Sequence, residues 1–110
     1  MELYLDTSSP LTVLKLDDKT YEWQSNRDLA LNLLGFIRDK LSENGKTWEE
    51  VTKITFFSGP GSFTGLRIGA AVVNTLSHDL SIPLFNHHGE QKDIILPDYG
   101  RPANITAPKK

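Results

Sequence analysis

Hydrophobic and polar positions first alternate along this chain, then cycle at helical spacing, then repeat the sequence. Leu3-Tyr4-Leu5 is a short apolar run, closed by the polar, proline-ended cluster Asp6-Thr7-Ser8-Ser9-Pro10 that reads as a turn. Residues 11–16 alternate with period two, placing Thr12, Leu14 and Leu16 on one face and Leu11, Val13 and Lys15 on the other. Asp17-Asp18-Lys19 is a second turn, and residues 20–24 are a third strand. Three strands joined by short turns predict an antiparallel meander.

After Ser25-Asn26-Arg27-Asp28 the period changes to 3.6, predicting a helix to about Glu43 with Asn26 or Asp28 as its N-cap. Its expected core stripe is Ala30, Leu33, Leu34, Ile37 and Leu41. Leu29 and Phe36 widen the stripe on one side and Leu31 on the other, giving an apolar arc about twice that of one buried face. Asn44-Gly45 ends the helix. Thr47 and Glu50 are spaced as a capping box around a short helical turn. Residues 53–57 predict a fourth strand, and residues 68–80 a second helix with an equally broad apolar arc. Ile68, Val72, Leu76 and Leu80 share one face; Leu66, Gly69, Ala70 and Val73 lie beside them; Arg67, Asn74 and His78 make a polar stripe. Residues 81–85 predict a fifth strand, parallel to the fourth because a helix joins them. The expected class is α/β: a mixed five-stranded sheet with an antiparallel meander, a βαβ unit and two main helices.

Between the fourth strand and second helix lies Ser58-Gly59-Pro60-Gly61-Ser62-Phe63-Thr64-Gly65-Leu66-Arg67-Ile68-Gly69. A glycine-rich strand-to-helix turn suggests phosphate binding, but the standard patterns are not met. No lysine follows Gly65, so there is no Walker loop, and Gly59, Gly61 and Gly65 are one residue too long for the dinucleotide fingerprint. Ser62 and Thr64 can cap helix amides. Gly65 and Gly69 fall on one helix face, each at a cost of about 1 kcal/mol against Ala, which implies that something packs close there. Asp6, after the first strand, reads either as the start of a phosphate loop with Thr7 or as an Asx turn capping local amides.

Residues 59–69 resemble, position by position, the signature of the TsaB (YeaZ) family, bacterial partner subunits of the enzyme that makes N6-threonylcarbamoyladenosine (t6A) in tRNA. The similarity runs more loosely from Leu3 to about Phe85, and Pro97-Asp98-Tyr99-Gly100-Arg101 is similar to a Pro-x-Tyr-x-Arg element near family C-termini. The resemblance implies an actin-like (ASKHA, ribonuclease H-like) fold. Here it implies a single lobe over residues 1–86 and a C-terminal extension, partly flexible, over 87–110, with most of the family's second lobe missing. It further implies a non-catalytic scaffold that binds TsaD by packing its two helices on TsaD's, with no cofactor of its own. The ATPase TsaE is a candidate third subunit, tRNA is reached only through the complex, and the chain forms a homodimer when alone. The interface residues expected on this basis are Leu29, Leu31, Phe36, Gly65, Leu66, Arg67, Gly69, Ala70 and Val73. Leu29 departs from the family, many of whose members carry a histidine there.

Composition narrows the alternatives. The net charge is −2, with 24% charged residues and no basic excess for direct tRNA binding. The chain has no cysteine, which excludes disulfides and thiolate metal sites. His87 and His88 are adjacent, so in an extended segment they point apart and make a poor metal site. No secretory signal is recognisable after Met1-Glu2-Leu3-Tyr4 and no run approaches a membrane span, so the expected location is cytoplasmic. Two other classes stay open. One is a single-lobe nucleotide-binding enzyme or peptidase drawing on Ser58, Ser62 and His78; the other is a self-associating structural protein.

Overall fold

Period-two alternation sends every second strand residue to the same side, and the strand register stacks those residues in rows. The computed structural model describes residues 1–98. Its elements are β1 (Glu2–Asp6), β2 (Leu11–Leu16), β3 (Lys19–Gln24), α1 (Leu29–Glu43), β4 (Lys53–Phe56), α2 (Phe63–Leu80), β5 (Leu84–Asn86) and β6 (Gln91–Lys92). They build one sheet in the order β3-β2-β1-β4-β5-β6. Strands β1, β2 and β3 pair antiparallel as the turns predict, while β1–β4 and β4–β5 are parallel. One row runs Leu16–Leu3–Ile54–Leu84 and the next Leu14–Leu5–Phe56–Asn86. The apolar members of both rows are almost completely buried, in one core with Leu29, Leu33, Ile37 and Leu41 of α1 and Leu66, Ala70, Val73 and Leu76 of α2. The row Lys15–Tyr4–Thr55–Phe85 lies on the opposite, half-exposed face.

The sheet has six strands, where the sequence pattern predicts five. The sixth is only Gln91–Lys92, two polar residues with no hydrophobic signal, antiparallel to β5. A turn organised by Asn86 makes the pairing: its Oδ1 accepts from the amides of His88 and Glu90, both at 3.0 Å, and its Nδ2 donates to Glu90 Oε1 at 2.8 Å. Residues 94–97, an apolar run closed by a proline that reads as a short edge strand, form no strand. Instead the Asn74 carboxamide grips the backbone of Ile95, donating to its carbonyl at 2.9 Å and accepting from its amide at 2.8 Å. Ile95 is thereby buried, with Ile94 and Leu96 turned out to solvent. The Pro-x-Tyr-x-Arg match and the tail fall from Tyr99 on outside the described residues.

Local capping follows the sequence in part. The Thr47/Glu50 capping box is present, and Gly45 adopts a left-handed φ of 71° just past α1. Asp28 sits at the α1 N-cap position, but its side chain makes no capping bond; a 3-10 turn over Asn26–Asp28 leads into the helix instead.

Candidate partner-docking face

The signature turn is built into the loop between β1 and β2. The Ser62 amide donates to the Ser8 carbonyl at 2.8 Å, and Ser62 Oγ caps the Gly65 amide at 3.2 Å. Buried Thr7 donates its hydroxyl to the Gly65 carbonyl at 2.7 Å. A Cβ at Gly61 would press on Ser8, and one at Gly65 would overlap the Thr7 carbonyl oxygen. One at Gly69 would strike Thr7 Oγ1 and the Phe56 ring. At Gly59 the φ is 125°, and a Cβ would overlap the Asp98 carbonyl. The expectation that Gly65 and Gly69 admit a foreign backbone is therefore corrected: the close neighbour is the chain's own first loop. Pro60 and Phe63 are exposed on the turn, as is Thr64 on the first helical turn. Asp6 takes the Asx-turn reading, its Oδ1 accepting from the Ser8 amide at 2.9 Å and hydroxyl at 2.6 Å. Thr7, the other phosphate-loop candidate, is occupied at Gly65.

Both helices have the broad apolar arcs predicted, and Leu33, Ile37 and Leu41 of α1 and Leu76 of α2 are buried as expected, but each helix is rotated so that one edge of its expected core stripe faces out. Leu29, Leu66, Ala70 and Val73, assigned to a partner, belong to the core at 4% exposure or less. The sheet presents large side chains in two rows, and α2 approaches it on the face that carries Gly65, Gly69 and Ala70. Consequently Leu34 and Leu80, expected inside, are turned out at 50% and 43% exposure, and Ile68 and Val72 are only half-buried. Leu31 is outside as expected, at 84%. Ala30 is exposed, and Phe36 stacks on Trp23 with ring centroids 4.9 Å apart. Arg67 is exposed, with no ion-pair partner among the described residues.

Of these outward residues, Leu34, Val72 and Leu80 line a groove of about 540 Å³ along the joined surfaces of α1 and α2. Leu34, Gly35 and Arg38 come from α1, Val72, Leu76, Asp79 and Leu80 from α2, and Trp48 from the 3-10 turn between α1 and β4. The apolar side chains supply contact area, and one positive and one negative group flank them. Such a surface suits packing against another helical surface.

The residues weighed for hydrolysis do not assemble. His78 pairs with Asp79 at 3.2 Å, near the far end of α2. Sixteen residues of helix put roughly 24 Å between it and Ser62. Ser58 instead faces His87, a pairing that sequence reasoning missed. His87 Nδ1 lies 3.2 Å from the Ser58 amide and 3.4 Å from its hydroxyl. A ring nitrogen has a single lone pair, and the amide already points at it. Burial first, and then neighbouring His88, hold the His87 imidazole below the usual histidine range, against the opposing pull of Asp6 and Asp98. The two histidine rings do not point apart; they lie 4.1 Å from each other, because the chain turns after β5.

Comparison with known proteins adds to this geometry. The family model described as "TsaD: tRNA N6-adenosine threonylcarbamoyltransferase" matches residues 24–89, more than half of the chain. The TsaB biosynthesis protein of Buchnera aphidicola from Acyrthosiphon pisum is 34% identical over 55 residues, covering 50% of this chain and 25% of that protein. The Haemophilus influenzae TsaB protein is 31% identical over 86 residues, covering 74% of this chain and 36% of its own length. YeaZ from Pseudomonas aeruginosa superposes with a TM-score of 0.68 at 35% identity, covering 77% of this chain and 42% of that one. A second structure, described as similar to peptidase YeaZ from Pseudomonas aeruginosa, gives the same score and identity and is covered over 41% of its length. The chain thus spans well under half the length of the relatives it matches.

Proposed function

We propose a function from one premise: the chain belongs to the tRNA N6-adenosine threonylcarbamoyltransferase family, and within it to the TsaB (YeaZ) group. On that premise it is a single actin-like lobe that acts as a non-catalytic subunit in t6A formation. It binds TsaD through the outer faces of α1 and α2 and supports the transfer that TsaD performs. The carrying observation is the groove between the two helices, lined by exposed Leu34 and Leu80, with Leu31 of α1 also left in water. Removing such side chains from water yields about 1.5–3 kcal/mol each when complete, and no element among the described residues covers them. The expected interface residues Leu31 and Arg67 lie outside the core and stay in the proposal, while the buried ones do not. The chain brings no nucleotide of its own, tRNA is reached through the complex, and TsaE is a candidate third component.

The test is co-purification with a TsaD protein, comparing the wild-type chain with Leu31→Glu/Leu34→Glu. Both side chains are exposed, so the variant folds; it loses TsaD, and with it the support of tRNA modification in a reconstituted assay. Retention of TsaD by the variant refutes the docking face, and failure of the wild-type chain to bind TsaD refutes the function. A dimer of the free chain that the same variant abolishes assigns the face to self-association.

A further inference from the structure

The two glycines that the helical pattern singles out are accounted for within the chain, but a third is not. Gly35 sits in the middle of α1, where glycine is the least favourable residue after proline. Nothing in the fold requires it. Its φ lies outside the left-handed region, and a Cβ placed there would meet only the mobile end of Arg38, at an ordinary 3.6 Å. Gly65 and Gly69 would by contrast strike backbone or a buried ring. Gly35 also lines the groove, facing Ala71, Val72 and Thr75 of α2.

We infer that Gly35 is the notch into which the partner's helix seats. This rests on the docking reading above and names the point in the groove that decides the fit. The occupant is an amphipathic helix of TsaD, whose apolar side chain enters between Leu34 and Val72 over the bare Gly35 backbone. Charge sets its orientation. Arg38 on α1, which also reaches its exposed neighbour Asp39 at 3.3 Å, and Asp79 on α2, beside His78 at 3.2 Å, stand on the same groove with opposite signs, so the occupant carries a carboxylate toward the first and a cation toward the second. An interface glycine lets helices approach closely, whereas a leucine there fills the space the occupant needs.

The experiment uses the full chain with Gly35→Ala, Gly35→Leu and Arg38→Glu. Thermal melting of each variant alone is read beside calorimetric titration with TsaD, with Trp48 fluorescence reporting the groove. Gly35→Ala and Gly35→Leu melt at or above the wild type, because the fold leaves the position open. Gly35→Leu weakens TsaD binding roughly 10-fold to 100-fold, the equivalent of overpacking one site; Arg38→Glu weakens it in a salt-dependent manner. Wild-type affinity in Gly35→Leu overturns the inference while leaving the docking face standing. A lower melting temperature in Gly35→Ala also overturns it, since the fold itself would then need the glycine. Absence of TsaD binding by the wild-type chain refutes the docking reading and this occupant together. A homodimer lost in Gly35→Leu without TsaD binding gives the notch to a second copy and overturns the assignment to TsaD.

Discussion

Replacing Asn74 by alanine tests whether a side chain can stand in for a missing strand. The Asn74 carboxamide makes two bonds to the Ile95 backbone, at 2.9 and 2.8 Å. Ile95 is 3% exposed, so water does not replace those bonds while the segment stays down. Two bonds at about 1 kcal/mol net each give a loss of about 2 kcal/mol. Lifting the segment hydrates the orphaned groups but gives up the burial of Ile95, worth about 2 kcal/mol. It also gives up the Asp98 amide bond to the Ser58 carbonyl, at 2.6 Å. Staying down thus costs about 2 kcal/mol and lifting about 3, so the segment stays down and the loss is about 2 kcal/mol. In urea this lowers the midpoint by roughly 1 M. Exchange at the Ile95 amide accelerates roughly 30-fold, by the conversion of 1.4 kcal/mol per factor of ten. Asn74→Asp keeps an acceptor for the amide but faces a carboxylate oxygen to the Ile95 carbonyl, so at neutral pH it loses as much. It recovers stability in acid, where a protonated carboxyl can donate. A midpoint and an Ile95 exchange rate unchanged in Asn74→Ala would refute the reasoning.

Three further outcomes follow from the same packing. Gly35→Ala raises stability by about 1 kcal/mol in a denaturant melt, because the helix gains and nothing clashes. Gly65→Ala lowers it by about 3 kcal/mol or more, since the new methyl overlaps the Thr7 carbonyl and dislodges the buried Thr7 hydroxyl bond; a near-wild-type melt would show that the first loop does not rest on α2. His87 has its pKa held below the ordinary value, chiefly by burial. Between the depressed native value and the ordinary one the unfolded chain binds more protons than the native one, so stability is full above the ordinary value and falls as pH drops through that window. In His87→Gln this part of the slope between neutral pH and about pH 5 disappears, as read from urea midpoints across that window.

The meander and the βαβ unit were legible because alternation, turn chemistry and helical period agreed at each step. The sheet's sixth strand was not, since Gln91–Lys92 has no apolar pattern and depends on the Asn86 side chain. Residues 94–96 mislead for the opposite reason: an apolar run looks like a strand, yet its middle residue pairs with a carboxamide. The width of the helical arcs was readable, but their orientation was not. Periodicity groups Ile68, Val72, Leu76 and Leu80, while the core takes Gly65, Leu66, Gly69, Ala70, Val73 and Leu76, because a side chain at Gly65 or Gly69 would not clear Thr7 and Phe56. The glycine spacing correctly signalled a close approach without saying what approaches. Gly35, a lone glycine inside a strong helical pattern, was the available signal for the groove.

The hydroxyl of Thr7 reaches a carbonyl 58 positions further along the chain. During translation at about 5–20 residues per second, the hairpin that contains it waits roughly 3–12 s for its partner to be made. Until then Ser8 has no Ser62 amide to receive, and its turn stays open to solvent. Closing so large a loop is an entropic hurdle cleared late. The loop made first is thus completed only once the start of α2 reaches it.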